Sequence, residues 1–144
     1  MRLEPFRAFH MDILQAQGVQ AAQVGELSIV PGQYASVVGS AGPAFTLWKG
    51  SDIVACAGMV SLFPHSGMLW AVLAQDAGRS MLYLHRAVQR FLEMQTVRRL
   101  EATVLEGFEP GCRWLELLRF ELEGRMRAFG PDGSTHLRYA RVSP

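Results

Sequence analysis

The spacing of apolar residues changes several times along the chain, and each change marks an element. Residues 3–6 have the length of a short first strand, and residues 10–23, rich in Ala and Gln, predict a helix that Gly18 interrupts. Val30-Pro31-Gly32 is a break, with Pro31 placed to open a short helix over residues 33–38. Gly39-Ser40-Ala41-Gly42-Pro43 reads as a loop; it does not match Gly-x-Ser-x-Gly, so Ser40 is read as a loop residue. Residues 44–48 and 53–60 are apolar and β-branched and flank Lys49-Gly50-Ser51-Asp52, a hairpin pattern. After a turn at Pro64-His65-Ser66-Gly67, residues 68–74 form an unbroken apolar run, as expected of a strand buried on both faces.

Asp76 then stands as an N-cap before an amphipathic helix in which Met81, Leu84, Val88, Phe91 and Leu92 recur at helical spacing. Residues 99–105 alternate as a strand, with Leu100, Ala102 and Val104 on one face and Glu101 and Thr103 on the other. A helix after Pro110 is predicted over residues 112–118, with a Trp114/Leu117/Leu118 face. Residues 120–129 and 135–142 form a closing hairpin around Gly130-Pro131-Asp132-Gly133. The order predicts one α+β domain over residues 1–144, resembling an α/β sandwich, whose mixed, mostly antiparallel central sheet is flanked by helices.

Composition narrows the function classes. Of 144 residues, 49% are hydrophobic and 19% charged, and the net charge is +1, which does not favour a general nucleic-acid binder. No apolar run is long enough for a membrane helix and the first residues lack a signal-peptide core, so a cytoplasmic protein is expected, with no membrane partner. Two cysteines and four scattered histidines give no metal-site spacing, and no metal is expected. Eleven of the fourteen basic residues are arginines after position 78. A GC-rich genome and phosphate recognition by guanidinium groups both account for that bias.

The segment with most chemical content is Val72-Leu73-Ala74-Gln75-Asp76-Ala77-Gly78-Arg79-Ser80-Met81. A buried strand feeds a helix through a short turn, and a helix start presents free N–H groups and the positive dipole end to an anion. Gly78 would let an anion approach the backbone, and Arg79 could add a charged contact. Glu101 and Glu106, on and just after the following strand, are candidate general bases, with a solvated strand-edge carboxylate as the plain alternative. Tyr139 and Cys112 are alternative proton donors, or simply buried strand and helix residues.

Gln75-Asp76-Ala77-Gly78-Arg79-Ser80 resembles the acetyl-CoA signature of the GNAT superfamily of N-acetyltransferases, Q/R-x-x-G-x-G/A, with Ser80 in the last place. Residues 114–124 resemble its second signature, a helix turning into a strand, with Arg119 where Gly is usual and Leu115 where a tyrosine acid often stands. The resemblance covers residues 44–142. Gly111-Cys112-Arg113-Trp114-Leu115-Glu116 and the stretch from Glu123 to Gly133 look most like small GNAT-like proteins of bacteriophages and prophages, which would place the protein in host cytoplasm. The resemblance implies the GNAT fold, acetyl-CoA as co-substrate held by residues 72–81, and direct transfer to an amine of a small molecule or protein. Backbone groups of Val72, Leu73 and Ala74 would pair with the pantetheine arm. A homodimer is compatible with it, and a catalytically degenerate phage binding factor is the alternative.

Overall fold

The structure is a computed structural model that describes residues 1–25 and 40–144. The helix expected over residues 33–38 lies outside the described residues. Among those described, the order is β1 (Arg2–Pro5), α1 (Ala8–Gln17), β2 (Ala44–Lys49), β3 (Asp52–Phe63), β4 (Ser66–Leu73), a 3-10 turn (Ala77–Ser80), α2 (Met81–Met94), β5 (Arg99–Leu105), α3 (Glu109–Leu117), β6 (Glu121–Met126) and β7 (His136–Val142). The strands form one seven-stranded sheet in the order β1-β2-β3-β4-β5-β7-β6. Every pairing is antiparallel except β4 with β5.

Strand alternation assigns the two faces. Trp70 of β4 packs edge-on against Phe6, and Thr46 of β2 meets His10, so these positions face α1. Phe45, one residue from Thr46, meets Phe91 of α2 on the opposite face. Val104 of β5 lies against the site of Gly111, which puts α3 on the same face as α2. Leu84, Val88, Phe91 and Leu92 carry the buried stripe of α2. Full burial of each such side chain is worth about 1.5–3 kcal/mol.

Three sequence expectations are corrected. Helix α1 ends at Gln17, at the interruption expected of Gly18, which takes φ +103; residues 19–23 do not resume it, because the chain turns away to hydrogen-bond with β4. Asp76 makes no side-chain cap; the Ala77–Ser80 turn intervenes and α2 begins at Met81. On α3, which starts at Glu109 with Pro110 inside its first turn, the buried stripe is Gly111, Cys112, Trp114 and Leu115, continued by Leu118. Leu117 is 67% exposed. It lies off the i, i+3, i+4, i+7 stripe that Gly111, Trp114, Leu115 and Leu118 define.

Candidate active site at the opening between β4 and β5

The parallel pair β4–β5 is short. Ser66, Gly67 and Met68 register with Arg99, Leu100 and Glu101, and the pairing then ends. Beyond that point each strand has one edge without a sheet neighbour. On β4, the N–H of Ala74 donates to Val54 O, so that group is used by β3. Backbone direction alternates with the side chains, so Ala71 and Leu73 turn their N–H groups to the opening. Of the three residues expected to pair with a pantetheine arm, only Leu73 presents its N–H there.

That edge is engaged by the protein itself. Residues 19–25 leave the end of α1 and run as a strap along β4. Gln75 N–H donates to Gly18 O at 3.0 Å, Gln20 N–H to Leu73 O at 3.1 Å, and Ala71 N–H to Val24 O at 2.9 Å. The Gln23 carboxamide clamps one residue from both sides: Leu73 N–H donates to its Oε1 at 2.7 Å, and its Nε2 donates to Leu73 O at 3.0 Å. Gly25 N–H then donates to Thr103 O on β5 at 2.8 Å, so the strap ties both strands together. Gly25 fits there at φ +91, where a Cβ would stand 2.8 Å from Leu69 O.

Two cavities meet this strap from opposite faces of the sheet. On the α2–α3 face, a cavity of about 170 Å³ is lined by Leu73, Gly78, Met81, Phe108, Gly111 and Trp114, with Gln20, Ala22, Gln23 and Val24 as its floor. Trp114 Nε1–H donates to His85 Nδ1 at 3.2 Å, which fixes the indole against α2. Gly111 is needed here, since a Cβ would come within 2.7 Å of Phe108 and Val104 side-chain carbons. On the α1 face, a larger cavity of about 330 Å³ is lined by Ala21, Ala22, Gln23, Leu105, Pro131, Asp132, Ser134 and His136. Ala22 and Gln23 belong to both.

The turn after β4 has the expected openness at one position. A Cβ on Gly78 would meet nothing within 4 Å, whereas Ala77 and Ser80 are buried. Arg79 is exposed and shares a third cavity with Lys49, Asp52 and Asp76. Two cations thus stand at the turn beside two carboxylates.

Of the four proton-transfer candidates, Tyr139 and the buried Cys112 meet in a hydrogen bond, while Glu101 and Glu106 stand apart. Glu101 lies at the closed end of the β4–β5 pair, opposite Met68, and receives Arg138 Nη1 at 2.6 Å and Arg99 Nη2 at 3.6 Å. Glu106 follows Leu105 and is gripped by Arg125 through contacts of 2.5 and 3.0 Å. That guanidinium holds its carboxyl below the usual carboxylate range. Tyr139 is 3% exposed and faces α3. Burial, then its hydrogen bond with Cys112, pushes the phenol up to about 12. It lines neither cavity.

Sequence reasoning missed two residues. Gln23 was absorbed into a predicted helix, and no local pattern announces a partner fifty residues away. His136 was one histidine among four; its strand position opposite Leu105, just after the Gly130–Gly133 turn, was the available signal. Among the described residues no group of three or more His, Cys, Asp and Glu side chains converges as a metal site, and no helix is long and apolar enough to cross a membrane.

No family model and no curated protein matches the sequence. Solved structures do match, two of the following three over nearly the whole chain. An N-acetyltransferase from Staphylococcus aureus superimposes with a TM-score of 0.74 at 6% identity, covering 98% of this chain and 96% of that one. A spermidine N-acetyltransferase mutant from Vibrio cholerae gives 0.67 at 10% identity, with 99% and 95% coverage. A GNAT-family acetyltransferase from Streptococcus pneumoniae gives 0.60 at 15% identity, with 76% and 73% coverage. The fold is that of the GNAT N-acetyltransferases. At these identities the likeness speaks for the GNAT architecture: seven mixed strands, helices on both faces, and a parallel pair that opens in mid-sheet.

Proposed function

We propose that the protein transfers an acetyl group from acetyl-CoA to an amine by direct attack. The observation that carries this reading is the opening between β4 and β5, reached by a separate cavity from each face of the sheet. Acetyl donor and acceptor would meet there across the Leu73 backbone. The residues present fit the donor. Leu73, Met81 and Trp114 give an apolar lining for the pantetheine arm, and Gly78 leaves open backbone for the phosphates, with Arg79 beside it. The segment 72–81 is accordingly assigned as the cofactor cradle. Leu73 N–H would donate to the thioester oxygen as negative charge develops on it, an oxyanion-type role.

Proton transfer is less evenly supported. A phenol at about 12 lies well above an ordinary thiol near ~8.5, so Tyr139 gives up its proton to a thiolate only uphill. Glu106, held low by Arg125, is a weak base, and Glu101 is committed to two arginines. Once a neutral amine has attacked, however, the ammonium of the tetrahedral intermediate itself carries a proton that the sulfur can take. The reaction then requires one base, to neutralise the amine beforehand.

Isothermal titration with acetyl-CoA, paired with thiol release over an amine panel, tests the proposal. Saturable binding and amine-dependent CoA release are expected; no binding at millimolar acetyl-CoA would refute it. A second reading has its own support. Because Gln23 and Val24 already fill the β4 ladder, the strap could be permanent, making this a non-catalytic GNAT-fold binding factor of the kind phages encode. A Leu73 amide resonance left unmoved by saturating acetyl-CoA would favour that second reading.

A further inference from the structure

The larger cavity, on the α1 face, has no role in holding the acetyl donor, and its chemistry is distinctive. His136 is 8% exposed, lines the cavity wall, and has a buried Nδ1 with no hydrogen-bond partner. Leaving such a nitrogen unpaired costs about 1–3 kcal/mol. Phe129 packs against the ring with centroids 5.5 Å apart. Gly130 makes room for it, since a Cβ there would lie 2.9 Å from His136 Cε1. Asp132 stands on the same wall. Its carboxylate accepts Ser134 N–H at 3.0 Å, and hydrogen bonds from Ser134 hold it below the usual carboxylate range. It is therefore charged at neutral pH. No lysine or arginine is among the described lining residues. The nearby charges are already matched, Glu106 by Arg125 and Arg138 by Glu101.

We propose that this cavity is the acceptor subsite, that it selects a protonated primary amine without a neighbouring carboxylate, and that Asp132 anchors the ammonium while His136 removes its proton. The inference rests on the acetyl-transfer reading for the second of these roles. One N–H bond of the ammonium breaks and the proton passes to the imidazole. The freed lone pair forms the C–N bond at the thioester carbon, and the C–S bond breaks as sulfur takes a proton from the same nitrogen. Imidazolium then returns its proton to solvent, so that one acetylated amine, one CoA thiol and one proton leave. Gln23, shared by both cavities, is the wall the two substrates would meet across.

The test uses the full chain and two probes, spermidine and butyrate. Spermidine is expected to bind without acetyl-CoA and to shift the His136 imidazole resonances, while butyrate does neither. Asp132→Asn keeps the oxygen that accepts Ser134 N–H and should fold; it is expected to weaken spermidine binding about tenfold and to raise KM at unchanged kcat. His136→Gln is expected to lower kcat about a hundredfold with the KM for acetyl-CoA unchanged. Spermidine binding that is absent, or unaltered in Asp132→Asn, overturns the proposal. Turnover of His136→Gln within about threefold of the parent protein removes the base role. Amine binding without any turnover would sink the acetyl-transfer reading, and the role of His136 as base with it, while upholding the ammonium site.

Discussion

The strap makes a quantitative prediction about cofactor binding. In Gln23→Ala three hydrogen bonds disappear: Leu73 N–H to Oε1, and Nε2 to Leu73 O and to Gln20 O. Leu73 O keeps the Gln20 N–H, but its own N–H loses the partner it has. A buried donor left unpaired costs about 1–3 kcal/mol, and water admitted through the adjoining cavities brings the figure toward the lower end. The variant should therefore unfold at lower urea, by about that free energy. If a pantetheine arm uses the same Leu73 groups, the parent protein must release Gln23 before it binds acetyl-CoA, and the variant need not. Affinity should then rise by the same free energy, about fivefold to a hundredfold.

Gln17 supplies the control. Its carboxamide makes the same two-sided clamp on Ile53, donating to Ile53 O and accepting Ile53 N–H, both at 2.8 Å, but away from the opening. Gln17→Ala should lose comparable stability and leave acetyl-CoA affinity unchanged. Paired urea titrations and calorimetry decide the matter. If Gln23→Ala is destabilised yet binds acetyl-CoA no more tightly than Gln17→Ala, the arm does not use the Leu73 edge and the competition argument is wrong.

Three further expectations concern the frame around the site. Arg119 ends α3 at φ +69, with Phe120 N–H reaching back to Leu115 O at 2.9 Å, so Arg119→Gly should raise stability by about 1 kcal/mol in a urea melt; no change would mean the left-handed turn carries no strain. His10 is fully buried and its Nδ1 accepts Arg7 N–H at 3.1 Å; burial, more than any charge, lowers its pKa from 6.5, so folding stability should be full above pH 6.5 and fall as pH drops below it. Urea midpoints across that range should show the loss, and His10→Gln should lack it. Cys56 and Tyr139 are each pushed up to about 12, chiefly by burial, so the stability they lend is present at neutral pH and declines as pH rises above ~9 toward 12; the native Cys56 thiol should resist Ellman's reagent until the protein unfolds.

The fold was legible wherever a local period carried it. The apolar run of β4 and the alternation of β5 located the two strands that border the site, and β5 spans the expected residues 99–105. Helix α2 was visible from its stripe, but its start was misplaced because an Asp before a Gly-containing turn looks the same whether the turn is α-helical or 3-10. Ala and Gln residues drew the first helix on to residue 23. Their helix propensity, a few tenths of a kcal/mol each, was outweighed by backbone hydrogen bonds to β4 and the turn at Gly18. Arg119 shows the reverse: its mismatch with the usual Gly was visible in the sequence, and the backbone conformation that favours Gly is present there.

The site was harder to read because little of its chemistry resides in side chains. The donor aimed at the opening is the N–H of Leu73, and any residue but proline supplies one. What makes this N–H special is that β4 and β5 stop pairing after Met68 and Glu101, a property of topology that leaves no motif. The same reasoning accounts for a shared architecture at 6% identity: if an acyl donor is held by backbone groups and a glycine turn, most side chains are free to change once the sheet opens in the right place. On the proposed reading, residues that set the choice of acceptor belong on the other face, where Asp132 and His136 line the larger cavity. Replacing Asp132 should therefore alter which amine is used while leaving the acetyl donor untouched, whereas a change at Gly78, where a Cβ meets nothing within 4 Å, should act on the donor alone.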